Sequence, residues 1–355
     1  MKRTWLFSIL AVFLVFSLNS SVLAAKETGK TKEMLYLTGY EYVFAVDPET
    51  EEVTEIPVTG MTRDIVFTKD GHRLFVNTDI RQKVAIIDTV KNIVIDELDF
   101  TKDNYRSRIY GMTVDPEGKL LYAMTMRSIV EGTELKTLPP AILVMDIEKK
   151  EIVKEIEVPY GVHVLQFYED GSKIAVWGRD LYEYDIEQDT LTLHYELFDP
   201  DDKSAGRSNY LLLWPRDQET DNLAATVNYV YYPETGETTE GFVTWDLKTG
   251  DVERIEYKEE PIGFFSGIIS RDRKTAYGGM NMLAKTNLST LKHDKVIKTK
   301  LGTSYGFNIS GDGKTIYAGG GGPDVNFYDA ETLEYRGTVD LKTDAMDVRV
   351  VQIKQ

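Results

Sequence analysis

One short turn signature recurs seven times along the chain, and its spacing constrains the fold more than any other feature. Asp47, Asp88, Asp146, Asp185, Asp246, Asn287 and Asp329 each end one apolar run and open a turn into the next. The intervals between them are 41, 58, 39, 61, 41 and 42 residues. A second signature precedes most of them: Lys69-Asp70-Gly71, Pro116-Glu117-Gly118, Glu169-Asp170-Gly171, the degenerate Arg271-Asp272-Arg273, and Asp312-Gly313. In an Asp-Gly turn the glycine accepts a positive φ and the aspartate bonds its own backbone. The clearest copy spans Tyr305–Leu341. There Phe307–Ser310, Thr315–Ala318, Val325–Tyr328 and Leu333–Leu341 read as four strands, the first pair joined at Asp312-Gly313 and the last at Ala330–Thr332. A four-stranded meander repeating every ~40 to 45 residues is the mark of a β-propeller blade. The two longer intervals read as the same unit with an insert.

Six complete units run from about Asp64 to Leu341. Three strands remain at the front (Met34–Thr38, Tyr42–Val46 and Glu52–Val58) and one at the back, Asp347–Ile353. Together they make a seventh sheet, with the C-terminal strand on its inner side, and this closes the ring without a free sheet edge. The expectation is an all-β, seven-bladed propeller occupying residues 34–355 as one domain.

The N-terminus reads as a separate object. Lys2-Arg3, an apolar run from Trp5 to Phe16 and the small-residue segment ending Val22-Leu23-Ala24 predict a signal peptide over residues 1–24 and a disordered leader over 25–33. The apolar run is short for a full membrane span of ~20 residues, although an uncleaved anchor helix is the alternative. The expected location is therefore periplasmic or otherwise extracytoplasmic. The sequence contains no cysteine. That excludes disulfides, a lipid-anchored cysteine, thiolate metal sites, a cysteine nucleophile and c-type haem attachment on this chain. Its net charge of −17 disfavours nucleic acid and anionic membrane as partners.

In a four-stranded blade, the first-to-second and third-to-fourth turns lie on one face of the disc, here called the turn face. The second-to-third loops and the blade-to-blade connections lie on the other, the loop face. The tight Asp turns fall on the turn face. The inserts Thr125–Pro140 and Val230–Glu240, and the connections Asp99–Ser107 and Phe198–Ser208, fall on the loop face. Because function concentrates in loops carried by a rigid scaffold, the loop face is expected to be the working one. Its interface candidates are Tyr105, Arg106, Arg108, Tyr110, Arg127, Tyr160, Arg207 and Tyr305, since Tyr and Arg are common anchors of protein interfaces. The four histidines, His72, His163, His194 and His293, show no metal-ligand spacing. The sequence lacks a D-x-D-x-D-G calcium loop and a G-x-S-x-G elbow. Gly319–Gly322 is followed by Pro323 rather than by Lys-Ser/Thr and a helix, so it reads as a loop. No catalytic, cofactor-binding or metal-binding residue is assigned.

Several stretches resemble one family closely: Gly178-Arg179-Asp180-Leu181-Tyr182 with Asp185, Leu212-Leu213-Trp214, Gly241–Gly250 (G-F-V-T-W-D-L-K-T-G), and Ser304–Gly320. Asp329–Glu334 also matches but is shared by many Y-V-T-N-type propellers. The chain resembles the β subunit of quinohaemoprotein amine dehydrogenase over nearly its whole mature length. The resemblance implies a non-catalytic subunit of a periplasmic oxidoreductase that oxidises primary amines. In that family a dihaem cytochrome c subunit carries electrons, and a small subunit carries cysteine tryptophylquinone and the catalytic carboxylate. The chain departs from the family pattern in 99–107 and 125–140. Two other readings belong to different classes: a stand-alone exported binding or surface propeller, and a propeller lactonase or other hydrolase.

Overall fold

The computed structural model describes residues 31–210, 222–300 and 304–355. The expected signal peptide, the Leu212-Leu213-Trp214 stretch and the missing Asp-Gly turn of the fifth blade lie outside these residues.

Among the described residues every sheet has four antiparallel strands. The chain opens with β1 (Thr31–Thr38), β2 (Tyr40–Val46) and β3 (Val53–Met61). Blade 2 is β4 to β7: Arg63–Phe67, Arg73–Thr78, Lys83–Asp88 and Ile93–Asp99. Blade 3 is β8 to β11: Tyr105–Val114, Leu120–Glu131, Glu134–Asp146 and Glu151–Glu157. Blade 4 is β12 to β15: Val164–Phe167, Lys173–Trp177, Leu181–Asp185 and Thr190–Tyr195. Blade 5 is β16 to β19: Arg207–Tyr210, Leu223–Tyr232, Glu237–Asp246 and Val252–Glu256. Blade 6 is β20 to β23: Ser266–Ile269, Thr275–Gly279, Met282–Asn287 and Lys292–Lys298. Blade 7 is β24 to β27: Ser304–Ile309, Thr315–Gly320, Gly322–Asp329 and Tyr335–Asp340. The last strand, β28 (Val348–Lys354), pairs antiparallel with β1, from Thr31↔Lys354 to Leu37↔Val348, and completes blade 1. The ring is closed as the strand count requires.

The recurring aspartates act locally. Asp47, Asp88, Asp146, Asp185, Asp246, Asn287 and Asp329 each accept backbone N–H groups two or three residues ahead, as in Glu49 N to Asp47 (2.9 Å) and Thr332 N to Asp329 (2.7 Å). In all seven turns the fourth residue after the anchor is left-handed: Glu51, Asn92, Lys150, Asp189, Gly250, Leu291 and Leu333. Only one of the seven is glycine, so the other six carry a Cβ that disfavours this conformation. Glu51 is exposed and has φ 60°. Glu51→Gly is expected to raise stability by about 0.5 kcal/mol, the relieved strain outweighing the added unfolded-state freedom. The check is the denaturation midpoint, and a lower midpoint would contradict the assignment of strain.

The hydrophobic core consists of seven clusters, one between each pair of adjacent blades. Between blades 4 and 5 it is aromatic: Trp177 and Trp245 lie 5.5 Å apart, with their indole N–H groups on Gln166 Oε1 (2.9 Å) and Tyr168 Oη (3.0 Å). Such a core cannot be assembled by one blade alone, which is why the repeat has to close.

Two boundaries differ from the sequence reading. Strand β1 begins at Thr31, so the expected leader of 25–33 gives up its last three residues to the sheet. Glu33 explains this, because its carboxylate accepts from Gly311 N (2.6 Å), Tyr317 Oη (2.8 Å) and Gln352 Nε2 (2.6 Å). The Gly319–Gly322 segment is not a loop. Its strands continue to a tight turn in which Gly320 pairs with Gly322. Among the described residues, no helix is long and apolar enough to cross a membrane.

Candidate functional site

Both inserts are paired β-structure on the loop face. In blade 3, β9 and β10 run together to the turn between Glu131 and Glu134, and the start of β8 joins them through Tyr105↔Ile129. The register slips between Leu138 and Ala141, where Pro139 and Pro140 cannot donate to the ladder. In blade 5, β17 and β18 pair out to Tyr232↔Glu237, and β16 joins through Arg207↔Tyr231. In blade 4, by contrast, β13 and β14 have only five residues each. The blade 3 and blade 5 hairpins therefore rise roughly 15–20 Å above their blades at about 3.3 Å per residue. Blade 4 is the floor of a notch between two three-stranded walls.

The floor carries the Gly178-Arg179-Asp180 loop and the connections on either side of blade 4. The Arg179 guanidinium stacks 3.5 Å from the Phe198 ring centroid. Asp180 accepts from Leu197 N (2.8 Å) and Phe198 N (2.9 Å), which pins the exit of the blade. Tyr160 stands in the entry connection, 63% exposed.

The eight sequence candidates divide by environment. Tyr105, Arg106, Arg108 and Tyr110 share β8. Arg108 donates to Ile80 O (3.1 Å), and Tyr110 receives the Arg81 guanidinium 4.7 Å from its ring centroid and the His163 ring at 5.6 Å. Arg106 is exposed and bonds Asp103 O (2.6 Å). Arg207 is exposed and lies 3.2 Å from Asp199. Arg127 is buried: it donates to Pro139 O through Nε (3.0 Å) and Nη2 (2.7 Å) and pairs with Glu155 (2.5 Å). It holds the double-proline bulge, and no guanidinium face remains for a partner. Burial pushes the Tyr105 hydroxyl up, against the opposing pull of Arg127 beside it. Tyr305 lies on β24, and its side chain is outside the described residues.

The sequence reading missed three features. Asp79, Ile80 and Arg81 form a left-handed turn without glycine (φ 48°, 55° and 66°), which sets the Arg81 guanidinium over Tyr110. Such strain in a β-branched residue persists only where its surroundings impose it. Within the ring wall, buried Asp64 accepts from Met112 N (2.8 Å) and donates its own N–H to Asp347 (2.8 Å), while buried Arg349 lies 4.0 Å from Asp64 and donates to Ile65 O (3.1 Å). This chain of contacts ties blades 1, 2 and 3 together. The third is the Glu240 carboxylate, buried under the blade 5 to blade 6 connection. No periodic signal marks any of them.

The four histidines are dispersed. His72 reaches Lys354 O (2.8 Å), His163 Gly161 O (2.7 Å), His194 Gly250 O (2.8 Å) and His293 Thr286 Oγ1 (2.8 Å). Among the described residues no group of three His, Cys, Asp or Glu side chains is placed to hold a metal ion. The turn-face mouth is a cavity of about 450 Å³ lined by Phe67, Lys69, Pro116, Phe167, Glu169 and Gln352. It is larger than any loop-face depression described below, but Glu169 pairs with Lys248 (3.4 Å) and Gln352 with Glu33, so it gathers little convergent chemistry.

One carboxyl on the loop face of blade 7 is pH-sensitive. Burial, aided by Asp340 and Asp344, raises Asp324 above the usual carboxylate range against a hydrogen bond from Asn326. A raised folded-state value means that ionised Asp324 opposes folding, so this destabilisation grows as pH rises through that value and disappears below the unfolded one. Asp324→Asn is expected to raise Tm by about 1–2 °C at pH 7, with the gain vanishing below about pH 4. A gain independent of pH would refute the assignment.

No family model and no curated protein matches the sequence. Solved structures match over nearly the whole chain. A functionally unknown protein from Desulfotomaculum acetoxidans DSM 771 is 13% identical with a TM-score of 0.60, covering 90% of this chain and 98% of its own. Kuenenia stuttgartiensis hydrazine synthase is 17% identical with a TM-score of 0.54, covering 86% and 90%. Apo AztD from Citrobacter koseri is 11% identical with a TM-score of 0.53, covering 91% and 99%. At these identities the likeness is one of fold. The protein belongs by architecture to the seven-bladed β-propellers.

Proposed function

We propose that this chain is an exported, non-catalytic propeller subunit of an amine dehydrogenase complex of the quinohaemoprotein type. It docks a small quinone-bearing subunit in the notch over blade 4 and associates with a dihaem cytochrome c subunit. The observation that carries this reading is the notch itself. Two built-up blades flank a low one, and the floor is the Gly178–Tyr182 segment, one of the stretches that carry the family resemblance. Blade 4 presents Tyr160 and Arg179 there, the residue types that anchor interfaces. With no cysteine in the sequence, neither a thioether-linked haem nor cysteine tryptophylquinone can reside on this chain, so both are assigned to partners.

The test is recovery of the tagged protein from its own host under native conditions, followed by a visible spectrum. A haem spectrum together with a small quinone-bearing chain supports the proposal. The purified single chain is expected to be colourless and inactive with primary amines. Tyr160→Ala and Arg179→Ala are each expected to weaken co-purification about tenfold, which corresponds to ~1.4 kcal/mol. A colourless solitary chain from cells making a dihaem cytochrome, or amine oxidation by the chain alone, would overturn it.

A further inference from the structure

A second depression on the loop face lies away from the notch, where blades 1, 2 and 7 meet. It has a volume of about 290 Å³ and is formed by three connections: β1 to β2 (Thr38, Gly39, Tyr40), β3 to β4 (Met61, Thr62, Arg63) and β27 to β28 (Thr343, Asp344, Met346). These connections are tied to one another. Thr62 Oγ1 donates to Gly39 O (2.7 Å), and Tyr40 N donates to Thr343 Oγ1 (3.1 Å). A Cβ at Gly39 would stand 2.6 Å from the Phe44 ring and 2.7 Å from Thr343 Oγ1, so the bowl closes tightly at that point. Tyr40 and Met61 are exposed although large and apolar, at 54% and 46%.

Among the described residues, Arg63 is the only cation lining the depression. Its guanidinium is half-buried, and its hydrogen-bond acceptor among the described residues is the Met346 thioether. A thioether sulfur is a weak acceptor that leaves most of the five guanidinium donors unanswered. The neighbouring Asp347 carboxylate accepts the Asp64 N–H (2.8 Å) and forms no ion pair with Arg63. Other arginines among the described residues meet a strong oxygen acceptor: carboxylates in Arg127–Glu155, Arg207–Asp199, Arg254–Glu256, Arg273–Asp246 and Arg336–Asp329, and backbone carbonyls for Arg73, Arg106 and Arg108. Among the described residues Arg63 has neither a carboxylate pair nor an oxygen acceptor, although the chain carries 58 acidic residues to 41 basic ones. Burial, against the pull of Asp347 and with the help of Arg81, holds Arg63 below its ordinary value. An added anion would relieve that cost.

We infer that the depression binds a small apolar monocarboxylate, whose carboxylate pairs with Arg63 and whose hydrocarbon body lies against Tyr40, Met61 and Met346. Guanidinium and carboxylate match in a two-bond fork. The volume sits at the lower end of ligand pockets, which selects a short chain. Asp344 on the rim carries the same charge as the ligand, so it weakens binding and does not form part of the recognition. The site shares no residue with the notch, and its test does not depend on any partner subunit.

The probe is hexanoate, with hexanol and hexylamine as controls, titrated into the full chain carrying methyl-labelled methionine and followed by NMR. The Met61 and Met346 methyl signals are expected to shift saturably with hexanoate and not with the controls. Arg63→Gln is expected to weaken binding at least tenfold while the other methionine signals stay in place. Asp344→Asn, a surface change that leaves the fold intact, is expected to tighten binding two- to fivefold. N-acetylnorleucine and its amide distinguish a free acid from the carboxyl end of a peptide. Binding of hexanoate alone marks a small-molecule site, and binding of the acetylated acid as well extends it to peptide termini. Unmoved Met61 and Met346 signals, equal binding by Arg63→Gln, preference for hexylamine, or weakening by Asp344→Asn would each overturn the inference.

Discussion

Deletion of Val348–Gln355 is expected to abolish the cooperative melt of the whole protein, not of blade 1 alone. These residues are eight of 355, but they form the inner strand that closes the ring. Val348, Val350, Val351 and Ile353 are buried, and they contribute to two different interfaces. Val351 and Ile353 pack with Met34, Tyr36 and Ile65 between blades 1 and 2, while Val348 and Val350 pack with Leu35, Leu37 and Tyr317 between blades 7 and 1. At about 1.5–3 kcal/mol for each fully buried aliphatic side chain, the loss is roughly 6–12 kcal/mol. That matches the entire net stability of a typical domain, roughly 5–15 kcal/mol. The deletion also leaves β1 as an open edge and removes Arg349 from its contact with Asp64. Circular dichroism during heating and limited proteolysis are the readouts. A circular permutant separates closure from chain length. Placing residues 343–355 ahead of residue 31, with an Asn-Gly link from the end of β28 to the start of β1, turns blade 1 into a continuous meander like the other six. It is expected to melt at or above the parent temperature. A truncated chain that still melts cooperatively would show that ring closure contributes little.

The fold was legible because its determinants are local. An aspartate that bonds N–H groups two and three residues ahead leaves the same trace wherever it occurs, and seven such traces in register define seven blades. Closure followed from counting strands, since three at one end and one at the other permit a single complete sheet. Glu33 was misassigned to the leader because its three hydrogen-bond donors lie some 280 to 320 residues away. The two inserts were placed by length, but Tyr105–Ser107 reads as a polar connection, and only the pairing of Tyr105 with Ile129 shows it to be a third strand of the blade 3 wall. Arg127 illustrates the limit for single residues. Its composition and position suited an interface anchor, yet the carbonyl of Pro139, twelve residues on, claims its guanidinium. Arg63 and Arg81 were passed over for the opposite reason. Among the described residues neither forms an ion pair with a carboxylate; that is a property of the assembled loop face, and no spacing along the chain encodes it.

Glu240→Ala is expected to be the most damaging single substitution on the loop face. Glu240 is buried on β18, at the base of the blade 5 wall. Its Oε1 accepts from Gly263 N (3.0 Å) and Phe264 N (2.6 Å) and lies 2.7 Å from the Tyr229 hydroxyl, while Oε2 accepts from Ile262 N (2.8 Å). Burial and the nearby carboxylate push the Tyr229 hydroxyl well above its ordinary range. One side chain therefore satisfies three consecutive backbone N–H groups of the connection into blade 6 and fixes a tyrosine of the notch-side hairpin. Alanine would leave those donors without their acceptor, and the Phe264 N–H, the buried one of the three, could not readily turn to water. A buried unsatisfied group costs about 1–3 kcal/mol and the partly buried N–H groups add less, so a loss of roughly 2–4 kcal/mol is expected. Glu240→Gln keeps the shape and the Oε1 acceptor but sets an amide donor against the Ile262 N–H, and about 1–2 kcal/mol is expected. Both are read as shifts of the denaturant midpoint, with protease cleavage within 257–265 as a local measure. Cleavage should rise in alanine first, glutamine second and the parent least. If both variants melt with the parent and the connection stays protected, water is reaching those N–H groups, and the wall is held by strand pairing alone.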